Sequence, residues 1–153
     1  LNEVYPPLRR NEYRIEYNVR NFDLEEARRM IGERPDLLTL EEMYKVAGSY
    51  EKGSVGYERA METAARCYPD RPAVLNDRAL AALGRGDAAA AIGMLEACGL
   101  SEKHPSLLNT LGVAYARSGE VRKAEEAFRR AAGQGSDEAR HNLEQLRLVI
   151  DQL

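Results

Sequence analysis

The stretch that decides the fold is SLLNTLGVAYARSGEVRKAEEAFRRAA, residues 106–132. Its apolar and small residues recur at helical intervals on both sides of a central Ser-Gly-Glu turn; they are Leu108, Leu111, Gly112 and Tyr115, then Ala124, Ala127, Phe128 and Ala131. This spacing predicts two amphipathic helices of about a dozen residues each. We expect Gly119 to end the first helix in the left-handed conformation, which glycine adopts without steric cost.

A glycine inside the first predicted helix indicates close packing. Gly112 costs that helix roughly 1 kcal/mol relative to alanine, so a packing reason is expected. We predict that the second helix approaches closely at this point, where Ala124 offers an equally small surface.

The order Leu-Gly-x-x-Tyr, then Ala-x-x-x-Phe-x-x-Ala, resembles one tetratricopeptide repeat (TPR). The matching residues are Leu111, Gly112, Tyr115, Ala124, Phe128 and Ala131. The segment LNDRALAALGRGDAAAAIGMLEAC, residues 75–98, carries a similar pattern 33 positions earlier, within one residue of the tetratricopeptide period. The resemblance implies an all-α fold, a TPR-like α-solenoid of antiparallel helix pairs over residues 21–153 that ends in a capping helix.

Further helices are predicted on either side of these two units. Capping boxes at Asp23 and Thr39 begin two helices, and a turn at residues 53–54 precedes a third helix over residues 55–67. The second and third helices form a degenerate repeat, in which Val46, Ala47 and Tyr50 replace Leu, Gly and Tyr. The capping helix is predicted from residue 136 or 137 to about residue 152. Its apolar stripe is Leu143, Leu146, Ile150 and Leu153.

Residues 1–20 differ from the rest of the chain, because residues 11–19 alternate between apolar and polar side chains. Tyr13, Ile15, Tyr17 and Val19 fall on one face, and this period of two predicts a β-strand. A lone strand needs a partner. Either its partners lie upstream of residue 1, or residues 12–19 pair with a second copy and form a homodimer.

Composition and motifs exclude several classes of function. The net charge of −3 argues against a nucleic-acid partner, and no apolar run approaches the roughly 18 residues of a membrane helix, so no direct membrane insertion is expected. His104 and His141 lack Cys, Asp or Ser partners at catalytic or metal-binding spacing, so we expect neither an enzyme nor a bound metal or cofactor. Cys67 and Cys98 are predicted to be buried free thiols. Because no signal peptide is present and the chain begins with Leu1, we expect a fragment of a longer protein.

Three asparagines at matching repeat positions form the candidate binding site: Asn76, Asn109 and Asn142. The resemblance implies that they line the concave groove of the solenoid, where their amides would bond to the backbone of an extended peptide. Leu80 and Val113, four residues beyond the first two asparagines, would line the same surface. The alternative is that the amides form local caps or hydrogen bonds between helices.

The residues that bind one class of ligand in this family are absent from this sequence. Ser106 and Thr110 stand where some family members carry the Lys and Arg that bind a C-terminal carboxylate. We therefore expect no ligand of that class in the groove.

A wider resemblance covers most of the chain, and the motifs that carry it lie in the first third. LRRNEY (8–13), NFDLEEAR (21–28), RP (34–35) and LEEMY (40–44) are similar to the junction between an OmpA-like domain and a tetratricopeptide tail in bacterial cell-envelope proteins. The resemblance implies that residues 1–20 end an OmpA-like domain and that the protein works in the periplasm or at the outer membrane of a Gram-negative cell. The peptidoglycan-binding Asp and Arg of that domain would lie upstream, so no peptidoglycan site is assigned to any residue of this chain.

Two functions follow from these patterns. The first is a protein–protein interaction module that docks a protein or peptide partner in its concave groove, with a role in assembling surface structures. The second is a structural spacer or oligomerisation arm that has no dedicated ligand.

Overall fold

The structure, a computed structural model, describes residues 21–150, and its regular elements there are helical. The eight α-helices of this part are α1 (Leu24–Glu33), α2 (Leu40–Gly48), α3 (Val55–Cys67), α4 (Pro72–Gly84), α5 (Ala88–Ala97), α6 (Pro105–Ser118), α7 (Val121–Gly133) and α8 (Asp137–Ile150). Short 3-10 turns occupy Pro35–Leu37 and Ser101–Lys103. The predicted all-α fold class is confirmed for these residues. The predicted strand, its pairing through residues 12–19 and the segment 1–20 lie outside the described residues.

The predicted helix starts and stops agree with the observed caps. The carboxylate of Asp23 accepts a hydrogen bond of 2.8 Å from the backbone N–H of Glu26 at the start of α1. Thr39 and Glu42 form the reciprocal capping box of α2. Gly119 ends α6 with a φ of 84°, as the turn sequence predicts.

The close approach predicted at Gly112 is confirmed, but the residue facing it is different. A Cβ built on Gly112 would lie 2.6 Å from two ring carbons of Phe128, so the aromatic ring of α7 packs directly on the backbone of α6. Ala124 is fully buried elsewhere in the same helix pair. Glycine is therefore required at position 112 because a ring, rather than a second small residue, fills the space above it.

Two apolar clusters form separate cores. The C-terminal core is made by α4 to α8, and its fully buried side chains include Leu95, Leu107 and Leu108. The N-terminal core is smaller and is made by α1 to α3 and the turn after α1; its buried residues are Ala27, Leu38, Met43, Val46, Ala47, Ala60 and Ala64. The cores meet where α3 lies against α4.

Side-chain hydrogen bonds between successive helix pairs recur at one spacing. Tyr44 bonds to Asp77 and Asn142 bonds to Asn109, both across 33 positions, and Arg117 bonds to the carbonyl oxygen of Leu83 across 34. This spacing equals the sequence period to within one residue, so equivalent positions of neighbouring helix pairs face each other.

The end of α8 corrects one prediction. Leu143 is buried and Leu146 is half-buried, as the predicted stripe requires, but Ile150 is exposed together with the neighbouring Leu148 and Val149. The helix continues beyond the edge of the C-terminal core, so its last turn has no neighbouring helix to pack against. Leu153 lies outside the described residues.

Two predictions about individual side chains are also wrong. Cys67 and Cys98 are free, as predicted, but they are half-buried rather than buried, because each lies at the C-terminal end of a helix, at the edge of a core. Tyr50 does not continue the apolar stripe of α2, which ends at Gly48. Its half-exposed ring instead covers Gly56 of α3, where an added Cβ would lie 2.7 Å from the ring.

Candidate functional site

A cleft lies where the two cores meet. We call it the Leu80 cleft; it has a volume of 640 Å³, and its lining includes Tyr44, Tyr57, Met61, Leu80, Ala81 and Met94. The first three belong to α2 and α3, and the others belong to α4 and α5. Leu80 is 47% exposed although it is surrounded by other apolar side chains, so it is open to contact from outside.

One hydrogen bond spans the Leu80 cleft from α2 to α4. The hydroxyl of Tyr44 donates to a carboxylate oxygen of Asp77 over 2.7 Å. Burial and this hydrogen bond both raise the pKa of the Tyr44 hydroxyl above its ordinary value, so the phenol keeps its proton at physiological pH. This bond therefore joins α2 of the N-terminal core to α4 of the C-terminal core by a directional contact.

The rim of the Leu80 cleft carries both signs of charge. Its cationic side chains are Lys52, Arg78 and Arg85, and its anionic side chains are Glu58, Glu62 and Asp77. Since the two sets are equal in number, the cleft has no net preference for an anion or a cation. Its apolar side chains would therefore determine what binds, and they suit leucine, methionine or aromatic side chains of a partner.

The three predicted asparagines are engaged in hydrogen bonds between helices. The amide of Asn142 donates to the side-chain oxygen of Asn109 over 2.9 Å, which links α8 to α6. The side-chain oxygen of Asn76 accepts from the hydroxyl of Thr110 over 2.6 Å, which links α4 to α6. The alternative interpretation of these residues, a hydrogen bond between helices, therefore describes their contacts in the structure.

A side-chain amide carries an N–H₂ group as well as an oxygen, and each can form hydrogen bonds. Within residues 21–150, the amide nitrogens of Asn76 and Asn109 have no hydrogen-bond partner, and all three asparagines are half-buried. These two N–H₂ groups are therefore available to an external acceptor while the bonds between helices stay in place.

The two predicted apolar site residues have different surroundings. Leu80 lines the cleft, whereas Val113 is half-buried against the C-terminal core and is not among the residues lining the cleft. The structure therefore brings Leu80 together with side chains that the repeat pattern did not single out. These include Tyr44 of α2 and Tyr57 and Met61 of α3, which are all half-buried.

Three further observations concern metal-ligating residues, histidines and helix length in the described residues. In the described ranges, no group of three or more His, Cys, Asp and Glu side chains is placed to hold a metal ion. His104 is the N-cap residue of α6, without a capping bond from its side chain, and His141 is exposed on α8. The described helices include none with the length and apolar character needed to cross a membrane.

Comparisons with protein-family models and with curated proteins give no match to this sequence.

Proposed function

We propose that residues 21–153 form a TPR-like helical-repeat module that docks a protein or peptide partner. Two observations support the repeat assignment. Hydrogen bonds between helix pairs recur at 33 or 34 positions, and Gly112 packs against Phe128 within the best-matching repeat. Stacked helix pairs of this kind present extended surfaces that commonly serve in protein recognition.

The observation that carries the docking proposal is the Leu80 cleft itself. It is concave, contains flexible methionine and aromatic side chains, and leaves Leu80 47% exposed at its mouth. Clefts of this size with mainly apolar linings are the usual form of a ligand site, and methionine adapts its shape to different partners. The free amide groups of Asn76 and Asn109 would add backbone hydrogen bonds on the neighbouring α4–α6 surface.

Site-specific photocrosslinking tests this proposal. A benzophenone amino acid at position 80 is expected to crosslink one defined partner in cells, and Leu80→Glu is expected to prevent that partner from co-purifying. Leu37 provides the matched control, because it is 48% exposed but does not line the cleft. Equal crosslinking from positions 37 and 80 would contradict docking at the cleft.

The proposed place of action is the periplasm or the outer membrane of a Gram-negative cell, where the module would help to assemble surface structures. This part of the proposal is supported by the junction resemblance in residues 8–44. Fractionation of cells that express the full-length protein tests it, together with the gene sequence upstream of residue 1. A cytoplasmic location, or an upstream sequence without an OmpA-like domain, would contradict it.

A second candidate function is a spacer or oligomerisation arm without a dedicated ligand. It is favoured by the amide bonds, which use Asn76, Asn109 and Asn142 to hold helices together. Light scattering distinguishes the two functions. A dimer that dissociates when residues 1–20 are deleted would favour the arm, and a monomer that binds the crosslinked partner would favour docking.

A further inference from the structure

A second cleft lies on the other side of α3, between α3 and α1. It has a volume of 410 Å³, and three arginines line it, Arg28, Arg59 and Arg66, beside one carboxylate, Glu62. We call it the arginine cleft. The chain as a whole has a net charge of −3, so this local excess of positive charge is opposite in sign to that of the molecule.

Arg28 is held in place by its neighbours. Its Nε donates to the hydroxyl of Ser49 over 3.1 Å, and its Nη1 donates to the carboxylate of Glu25 over 2.8 Å. Its guanidinium carbon lies 5.3 Å from the centroid of the Tyr50 ring. Arg28 therefore forms a fixed wall of the cleft, and Glu25 already neutralises its charge.

Arg59 and Arg66 are the charges that remain available. Both are exposed, and within residues 21–150 neither forms a salt bridge. They lie seven positions apart on α3, with Thr63 between them, so they share one face of the helix at a separation of about 10 Å along its axis.

Apolar side chains complete the arginine cleft. Ile31 of α1, Ala60 of α3 and the ring of Tyr50 line it beside the arginines. Ala60 is buried, whereas Tyr50 is 37% exposed. A ligand for this surface therefore needs negative charge at two places and an apolar group between them.

We propose that the arginine cleft binds an extended acidic segment of a partner protein in which two carboxylates four positions apart flank an apolar side chain at the middle position. Side chains of an extended chain alternate between its two faces, so positions i, i+2 and i+4 share one face. Positions i and i+4 lie about 13 Å apart, a span that two long arginine side chains based about 10 Å apart can reach. Each planar guanidinium can bind one carboxylate by two parallel hydrogen bonds. A long polyanion such as a nucleic acid fits less well, because the negative charge of the rest of the molecule would repel it.

This proposal is independent of docking at the Leu80 cleft. Tyr57 and Met61 of α3 line the Leu80 cleft, whereas Arg59, Thr63 and Arg66 of α3 line the arginine cleft, and Glu62 is the side chain that the two linings share. If the experiment at one cleft contradicts binding there, the proposal for the other cleft is unaffected. Leu80→Glu is expected to leave binding at the arginine cleft unchanged.

Fluorescence anisotropy with a defined probe tests the proposal. The probe is a fluorescein-labelled peptide, GSEALAESG, whose two glutamates and leucine share one face of an extended chain. Its matched control is GSQALAQSG, in which both carboxylates become amides. At about 20 mM salt, where exposed charges are weakly screened, the first peptide is expected to bind saturably and the second is not. Binding is expected to weaken by about tenfold in the double variant Arg59→Gln with Arg66→Gln.

A second double variant controls for net charge. Arg71→Gln with Arg122→Gln removes the same number of charges from exposed positions that line neither cleft, and it is expected to leave the affinity unchanged. Circular dichroism checks that each variant is folded, and Arg59→Glu with Arg66→Glu is expected to abolish binding. The proposal would be overturned if both glutamine variants lost affinity equally or if the two peptides bound with equal affinity. It would also be overturned if a single-stranded oligonucleotide bound more tightly than the peptide through Arg59 and Arg66.

Discussion

The two cores of this molecule are stabilised in different ways. The C-terminal core is large and depends on close apolar packing, which includes a phenylalanine ring directly on a glycine backbone. The N-terminal core contains fewer than half as many buried residues and is surrounded by directional polar contacts. In the N-terminal core, where little apolar area is buried, hydrogen bonds to a buried charge hold the chain in place. In the C-terminal core, where more apolar area is buried, the close fit of apolar side chains stabilises the fold.

Glu42 is the centre of the polar contacts in the N-terminal core. It is 5% exposed, and its carboxylate accepts hydrogen bonds from the backbone N–H of Phe22, from the backbone N–H of Thr39 and from the Thr39 hydroxyl, each 2.8 Å long. One carboxylate therefore joins the segment before α1 to the start of α2. The hydroxyl of Tyr68 adds a bond of 2.7 Å to the carbonyl oxygen of Leu38.

The largest expected effect follows from removing the charge of Glu42. Glu42→Gln places an N–H₂ group against donors that now face a carboxylate, so we expect a loss of about 3 kcal/mol in the free energy of unfolding. Chemical denaturation followed by circular dichroism measures it. Thr39→Ala removes the hydroxyl that donates to Glu42 and also caps the Glu42 backbone N–H, and it is expected to cost about 1 kcal/mol. Similar losses in both variants would mean that the charge has no special role.

The same carboxylate makes the N-terminal core sensitive to acid. Burial raises the pKa of Glu42, but the hydrogen bonds from Thr39 and Phe22 outweigh it and hold the pKa below its ordinary value of 4.5. The stabilisation is therefore complete above pH 4.5 and is lost as the pH falls through the lower pKa of the folded state. Chemical denaturation at several pH values measures this loss of stability. The Glu42→Gln variant is expected to lose less stability than the wild type as the pH falls, because it has no carboxylate to protonate at this position.

A pair of glycine substitutions compares the packing of the two cores directly. Gly112→Ala forces the buried ring of Phe128 to move, so we expect a net loss of about 2 kcal/mol despite the better helix propensity of alanine. Gly56→Ala meets the ring of Tyr50 at a similar distance, but that ring is 37% exposed and free to rotate outward. Thermal unfolding is expected to show little change for Gly56→Ala.

Gly93→Ala is the positive control for this pair, because an added Cβ meets nothing within 4 Å and the substitution should stabilise α5 by up to about 1 kcal/mol. Combining Gly112→Ala with Phe128→Leu should recover part of the lost stability. An equal cost at positions 56 and 112 would refute the distinction between the cores.

A smaller effect is expected where the cores meet. Tyr44→Phe removes the bond to Asp77 and leaves that half-buried carboxylate without its donor, which should cost about 1 kcal/mol. Hydrogen exchange is expected to show faster exchange at the ends of α2 and α4 that flank the Leu80 cleft. Unchanged exchange there would mean that apolar contacts alone hold the cores together.

The smallest expected effect concerns the amides. Asn142→Ala removes the bond to Asn109 between two half-buried side chains, and we expect a loss of about 0.5 kcal/mol. Asn109→Ala should cost a similar amount, and the double variant should cost less than the sum, because both changes remove the same bond. Full additivity in denaturation experiments would mean that the two amides act separately.

Local signals in the sequence were enough to predict most of the helices. The capping residues Asp23 and Thr39 and the left-handed Gly119 mark their ends, since caps depend on neighbours within a few positions. Gly112 predicted a close approach, but the identity of the facing ring depends on the relative rotation of α6 and α7. The exposure of Ile150 was missed because an apolar period does not say where the neighbouring helices end.

Less of the candidate site could be predicted from the sequence. The Leu80 cleft exists because α3 and α4 pack loosely, and the sequence of either helix alone does not say how closely the two approach. The repeat pattern correctly aligned Asn109 with Asn142, yet it could not tell whether two amides one period apart bind each other or a ligand. That distinction requires the distance between them, which only the folded chain defines.

The position of α3 has a further consequence. This helix of 13 residues is a wall of both clefts, so a ligand that shifts it upon entering one cleft also changes the shape of the other. Thermodynamic linkage then requires that each ligand alter the affinity of the other by the same factor. An acidic segment bound at Arg59 and Arg66 would thereby act as an effector of whatever contacts Leu80, although the two ligands never touch.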